Sequence, residues 1–393
     1  MKICFITYST FSVGGIERVV SIIANELSKD NEIDIVCTCG DFEINRKLYN
    51  LNEKVNVNIE KSLTQKGFIV KVLSKLLREL NKKTGILNNN KLIKILEKVY
   101  YPNQIQEKFV DYINLNKYDL VIGVAGTYSL LLGIISDRIN AKTIGWQHNS
   151  YEAYLKTKER YFWNQDELFN KYIPMLNRYF VLTEHDRKMF LEENNIDSIV
   201  MHNPTSFNSK DKSKLLKKQF LAAGRFNYQK GFDLLIESFY KFSKENNDWN
   251  LVIVGEGEEK DNIEHLINRY GLNHRIKIEP FTNDIRKYFL NSSILLLPSR
   301  WEGMPMIVLE SLVMGVPIVS YDITAVESSI RHNYNGLIIE KYNVKKFADA
   351  MHYLSNSLLE RKKMGDNAVI KSMEFNIEKI GKEWNAIFDE LNE

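Results

Sequence analysis

Glu302 and Glu310 stand eight residues apart within Ser299–Ser320, SRWEGMPMIVLESLVMGVPIVS. The apolar run Ile294–Leu297 just before has the length of a buried parallel strand, and the polar loop Ser299–Met304 follows it. Met306, Leu309, Leu312 and Val313 then repeat at helical spacing. Pro305 takes a first-turn position, where its missing N–H would be unpaired anyway. Gly315 ends the helix before a strand over Val316–Val319. A helix start offers unpaired N–H groups and the positive end of the helix dipole, which suits a phosphate. Glu302, beside that point, can accept hydrogen bonds from hydroxyls of a group attached to the phosphate. Glu310 can hold ribose hydroxyls on its other side. Ribose, pyrophosphate and sugar, in that order, make a nucleotide-sugar. A capping carboxylate and a polar helix residue near a buried edge would leave the same trace.

Other strand ends also carry glycine or polar loops. Phe220–Ala223 leads into Gly224-Arg225-Phe226-Asn227-Tyr228-Gln229-Lys230-Gly231, where two cations between glycines can neutralise a pyrophosphate. A surface loop with two ordinary cations reads the same way. Gly14-Gly15 joins the strand Lys2–Tyr8 to the helix Ile16–Leu27. Backbone approaches an anion in such a place, and a tight turn also uses such a pair. Glu17 suits the dipole in that helix's first turn. The strand Lys142–Trp146 ends in Gln147-His148-Asn149-Ser150, at the carboxyl end where α/β sheets put ligands. A hydrogen-bonded structural histidine fits there equally. Leu251–Val254 runs into Gly255-Glu256-Gly257, which is not the dinucleotide fingerprint because Lys260 stands where the third glycine belongs.

Together these residues resemble the family 4 retaining glycosyltransferases, which have the GT-B fold. The resemblance rests on Glu302-Gly303-x-Pro305 with Glu310 and Gly315-x-Pro317, and on the loop from Gly224 to Gly231. It extends over nearly the whole chain. It implies that Glu310 binds ribose and Glu302 contacts the donor sugar, while the backbone of Gly303, Met304, Pro305 and Met306 holds sugar and phosphate. Arg225 and Lys230 would take the diphosphate, and His148 would reach the donor sugar and reaction centre. Gly14 and Gly15 would face donor phosphates and acceptor, Gly255 the nucleotide, and Phe281 and Thr282 the base. The string from Gln147 to Leu155 is similar to the subgroup that builds lipid-linked or cell-surface glycans, with Gln147 where that subgroup has Glu. Asn203-Pro204 replaces the family's Asn-Gly, so Asn203 receives no role.

The implied reaction moves a hexose or N-acetylhexosamine from a nucleoside-diphosphate sugar, UDP by resemblance, to a hydroxyl of a glycan or lipid-linked glycan. Retention follows if the acceptor attacks on the face the diphosphate leaves, with the diphosphate taking the proton. The chain contains no Asp-x-Asp, so neither metal nor other cofactor is expected. Arg225, Lys230 and helix N-termini would then stabilise the leaving group. A GT-B sugar-nucleotide epimerase, or a non-catalytic sugar-nucleotide-binding partner protein, would share the architecture.

Positioning these loops requires two strand–helix alternations. A length of 393 residues suits two domains rather than one. The alternation restarts at Gln219, after the polar, aperiodic stretch 204–217 that reads as a linker. We expect an α/β protein of two Rossmann-like, doubly wound parallel-sheet domains facing across a cleft. Residues 1–204 would bind acceptor and 218–373 donor, with a last helix in 374–393 crossing back to the first domain. No apolar run is long enough to span a bilayer, and residues 1–10 read as a strand rather than a signal peptide. Cys4, Cys37 and Cys39 lie in apolar stretches and read as small hydrophobes in a reducing compartment, which points to the cytoplasm.

The net charge of +3 does not imply nucleic acid. Residues 61–108 nevertheless hold eleven Lys or Arg against three Glu, a local excess of +8. Within them the helix Phe68–Leu80 and its continuation set Lys71, Lys75, Arg78 and Lys82 along one face. That face is either simply solvated or docks on an anionic membrane or a pyrophosphate-bearing acceptor. Docking on lipid would make the protein peripheral on the inner face of the cytoplasmic membrane.

Overall fold

A computed structural model of the chain describes residues 1–41 and 43–393. The first of its two units comprises Met1–His202 and Ile380–Glu393. Seven strands form its sheet: β1 (Lys2–Thr7), β2 (Glu32–Cys37), β3 (Asn56–Ile59), β4 (Leu120–Val124), β5 (Lys142–Trp146), β6 (Arg178–Val181) and β7 (Ile199–Val200). They lie in the order β3-β2-β1-β4-β5-β6-β7. Every pairing is parallel. Helices on both faces explain why the central strands read as continuous apolar runs rather than alternating ones. Cys4, Phe5 and Ile6 of β1 are fully buried, and the three cysteines are free and buried. The strand order reverses between β1 and β4, and there the chain leaves the sheet in two directions.

The last helix, Ile377–Asn392, supplies the end of this unit. Trp384 is fully buried and meets Trp146 at 4.8 Å and Phe180 at 4.9 Å between ring centroids. Gly381 lets the helix close on Gly15–Leu27, since a Cβ there would stand 2.6 Å from Glu26 Cγ.

The second unit, Asn203–Lys379, repeats the plan. Its strands are β8 (Gln219–Ala223), β9 (Asn250–Val254), β10 (Ile276–Glu279), β11 (Ile294–Leu297), β12 (Ile318–Tyr321) and β13 (Gly336–Ile339). The order is β10-β9-β8-β11-β12-β13, again all parallel. Here the reversal falls between β8 and β11. The loops that follow these two strands are the Arg225–Lys230 loop and the Glu302 loop.

Several sequence expectations are corrected. The stretch 204–217 is no free tether but part of the second unit. Thr205 N–H donates to Phe375 O at 2.7 Å and Ser213 N–H to Met314 O at 3.0 Å, while Thr205 and Leu215 are buried. These two backbone bonds tie it to distant elements rather than into a regular element of its own, so periodicity gave no sign of it. Helices over Asn103–Asn116 and Ala125–Ile135 escaped notice. The second is apolar all round, as a buried helix is, and shows no stripe. Helix Phe68–Thr84 runs past Leu80 and ends at Gly85 in the left-handed region. Of its apolar residues Leu77 packs on the core, but Phe68, Ile69, Val72, Leu73, Leu76 and Leu80 are exposed, and Arg78 does not stand with the lysines. Arg78 turns to the protein, donating to Val99 O at 3.1 Å and Tyr100 O at 2.8 Å.

Trp384→Ala removes the largest side chain that the last helix places in the first unit. We expect a loss of about 3–5 kcal/mol for a buried tryptophan, measured as a lower urea midpoint of that unit by tryptophan fluorescence.

Candidate functional site

In the second unit, glycines set how closely the loops can approach. Gly231 has φ +66°, and a Cβ on it would stand 2.2 Å from Pro298 O. Gly255 has φ +157°, and a Cβ would stand 2.0 Å from Gly224 O. The backbone turns after β8, β9 and β11 therefore touch where only glycine fits. Arg300 N–H donates to Gln229 O at 2.8 Å. The Arg300 side chain, nearly buried, forks onto Asp233 at 2.9 and 2.6 Å and lies 3.8 Å from the centre of the Tyr228 ring. A bidentate guanidinium–carboxylate pair fixes both loops in direction as well as distance.

This frame brings two of the expected residues into contact. Lys230 Nζ lies 2.6 Å from Glu302 Oε1, with both side chains largely buried. Ser299 Oγ donates to the same oxygen at 2.7 Å, and Gln229 Nε2 lies 3.4 Å from Oε2. Arg225, on the same loop, is exposed.

Glu302 thus sits at the base of the loop that leads into the helix Met306–Met314. Pro305 is the cap residue just before that helix rather than its first-turn residue, with φ −71° and ψ 117°. Gly303, Met304, Pro305 and Met306 bring the chain to the helix start, where first-turn amides point outward. Asn203 ties this loop down: its Nδ2 donates to Met304 O at 3.2 Å. Glu310 is nearly fully buried inside the helix, and its Oε1 accepts from Ser206 Oγ at 2.6 Å. Trp301 Nε1 and Asn203 Oδ1 are buried without a hydrogen-bond partner.

The nearby turns complete this end of the sheet. Gly255 follows β9 with its N–H on Glu279 O at 2.9 Å. Phe281 and Thr282, after β10, are half-buried, and Thr282 Oγ1 accepts from Asp284 N at 3.2 Å. The candidates of this unit all lie at strand carboxyl ends or in the helix just beyond, the side where doubly wound sheets bind ligands.

In the first unit, Gly14 N–H donates to Tyr49 OH at 2.9 Å, and Gly15 opens the helix Gly15–Leu27. Ser12 Oγ donates to Glu17 Oε1 at 2.5 Å, so a carboxylate already lies beside this helix start. Ala125, directly after β4, has φ +65°. His148 follows β5 with its ring 4.2 Å from that of Trp146, and its Nε2 is buried without a hydrogen-bond partner. Burial pushes the His148 imidazole down to about 3, which keeps it neutral at physiological pH. Gln147 is fully buried and uses both ends of its amide. Its Nε2 donates to Asn149 O and its Oε1 accepts from Tyr179 OH at 3.2 Å.

The structure therefore gathers Lys230 with Glu302, and places Glu310 on Ser206 in the helix just beyond the Met304 loop, in the second unit. Gly14, Gly15 and His148 belong to the first. Of the basic face, Lys71, Lys75 and Lys82 are exposed on helix Phe68–Thr84, and Arg78 is engaged with the body. Sequence reasoning missed Arg300, Asp233, Asn203 and Ser206. Arg300 stands inside the motif, and Asp233 two residues past Gly231, so adjacency alone could have flagged them. Ser206 lay in the supposed linker and carried no signal.

Residues 205–370 match the profile of the family described as Glycosyl transferases group 1. An uncharacterized glycosyltransferase of Haemophilus influenzae is 31% identical over 346 residues, covering 85% of this chain and 95% of the relative. The amylovoran biosynthesis glycosyltransferase AmsD of Erwinia amylovora is 24% identical over 96% of both chains. Among solved structures, Staphylococcus aureus TarM, crystallised with Fondaparinux, alpha-GlcNAc-glycerol and UDP, is similar with a TM-score of 0.77 at 17% identity. The match covers 98% of this chain and 99% of TarM. The two α/β units are those of the GT-B class. The chain belongs to the group 1 glycosyltransferases.

Gln147→Glu places a carboxylate oxygen against the Asn149 carbonyl, inside a buried turn. It should destabilise the first unit by about 1–3 kcal/mol, seen as a lower thermal midpoint. The His148 ring resonances should stay at their neutral position from pH 8 down to pH 5, since the folded state resists charging until far lower pH. A titration midpoint near 6.5 would contradict this.

Proposed function

We propose that the chain is a retaining transferase that moves a hexose or N-acetylhexosamine from a UDP-sugar to a hydroxyl of a glycan or lipid-linked glycan in surface polysaccharide synthesis. The observation that carries this reading is the Lys230–Glu302 contact at the β8/β11 reversal, with Glu310 held one helix turn and a half beyond the loop. The UDP in the TarM crystals and the name of the amylovoran relative support the choice of nucleotide and product class.

On this reading the ribose binds Glu310, the sugar hydroxyls bind Glu302, and the backbone from Gly303 to Met306 holds sugar and phosphate. Gly255 borders the nucleotide, and Phe281 and Thr282 border the base. Arg225 and Lys230 take the charge that grows on the diphosphate as the anomeric bond breaks, where fixed cations act most strongly. The acceptor oxygen forms its bond on the face the diphosphate leaves, and its proton passes to the diphosphate. The residues at Gly14 and Gly15 serve the phosphates and acceptor, and His148 is assigned a role in the transfer step. No metal is required, a reading supported by the lack of Asp-x-Asp in the sequence.

Glu310→Ala and Lys230→Ala should each lower turnover at least about tenfold in an assay with UDP-, GDP- and ADP-sugars. UDP-sugars should be turned over best, with the donor's anomeric configuration kept in the product by NMR. Near-native turnover in both variants would remove the assignments. Excess EDTA should leave the wild-type rate unchanged.

A further inference from the structure

Helix Phe68–Thr84 is amphipathic in the wrong sense for a helix packed on a protein. Its buried residues are Ser74 and Asn81. Asn81 Nδ2 donates to Asn164 O at 2.8 Å, and Asn164 Nδ2 returns a bond to Asn81 O at 2.8 Å. Arg78 adds its bonds to Val99 O and Tyr100 O. These polar groups, with Leu77 against the core, bolt the helix to the body while six of its hydrophobes face outward. Phe68 is 82% exposed, Ile69 79%, Leu76 64% and Leu73 56%, with Val72 and Leu80 also exposed. At 100° per residue these six side chains span one arc of about 140°. Single exposed hydrophobes need no explanation, but six on one ridge do. Lys71 and Lys75, both exposed, line one flank of the arc.

We propose that this helix is a membrane-docking element that lies flat on a bilayer surface bearing anionic headgroups. Phe68, Ile69, Val72, Leu73 and Leu76 enter the acyl boundary, and Lys71 and Lys75 stay at headgroup level, their stems covering apolar surface. Charge decides between a bilayer and a second copy of the chain. The segment 61–108 carries +8, so pairing two such ridges would bring like charges together, whereas an anionic surface attracts them. The docking differs from the sequence expectation of a purely basic face: the apolar ridge leads, and Arg78 takes no part because it is bound to the protein. It goes beyond glycosyl transfer and does not depend on which sugar or acceptor is used. No helix among the described residues is long and apolar enough to cross a membrane, so contact of this kind would be peripheral.

The test is cosedimentation of the full chain with vesicles of phosphatidylcholine, alone or with an equal share of phosphatidylglycerol, at low and high salt. Wild type should bind the mixed vesicles. Ile69→Ser/Leu73→Ser/Leu76→Ser should weaken binding at least about tenfold at either salt concentration. Lys71→Gln/Lys75→Gln should weaken it roughly thirtyfold at low salt and little at high salt. All these positions are exposed, and unchanged thermal midpoints would show that the variants fold. Binding of the triple serine variant at wild-type strength overturns the proposal. So does a lipid-free dimer by light scattering that the triple variant converts to monomer while wild type ignores vesicles.

Discussion

The loops after β8 and β11 are pressed together at a point that leaves room for glycine and for nothing larger. Gly231 meets Pro298 O there, in a left-handed conformation that a side chain would strain as well as block. Everything else around Glu302 follows from that approach. It brings Gln229 O to the Arg300 amide, aligns the Arg300 guanidinium with Asp233, and lets the Lys230 ammonium settle on the Glu302 carboxylate. The parallel topology dictates where this happens, because β8 and β11 are neighbours whose following segments depart in different directions.

The Lys230–Glu302 pair has a physical consequence for the proposed chemistry. Both side chains are largely withdrawn from water, so each depends on the other for compensation. A donor that brings a diphosphate to Lys230 and sugar hydroxyls to Glu302 would replace one set of charge-assisted contacts with another. Such a site is organised before the donor arrives and does not have to assemble around it, which is the condition for electrostatic catalysis. Ser206 stands in the same relation to Glu310, holding an oxygen that a ribose hydroxyl would use.

Much of this was legible in the sequence, for definite reasons. Buried parallel strands are short apolar runs with sharp ends, so β5 and β11 are predicted to the residue and β1, β8, β9 and β12 to within a residue or two. The glycine and carboxylate spacing of the β8 and β11 loops is equally local. What could not be read depends on partners distant in the chain. The segment 204–217 carries no periodicity because what anchors it lies far along the chain, Thr205 N–H on Phe375 O and Ser213 N–H on Met314 O. Gln147 looked like a departure in a sugar site, whereas its amide braces the turn below His148 through Tyr179 and Asn149. The helix Phe68–Thr84 displays its amphipathic pattern plainly, but periodicity reports only that two faces differ. It does not say which one meets the protein, and here polar contacts from Asn81 and Arg78 decide the matter.

If the activated sugar is held through its nucleotide at the β8/β11 reversal, nucleotide must bind there. A crystal structure of the protein with UDP tests it most directly. Ribose hydroxyls should lie on Glu310 and the diphosphate between the helix start at Met306 and the Arg225–Lys230 loop. A well-ordered nucleotide bound away from residues 225–230 and 302–310 would contradict it.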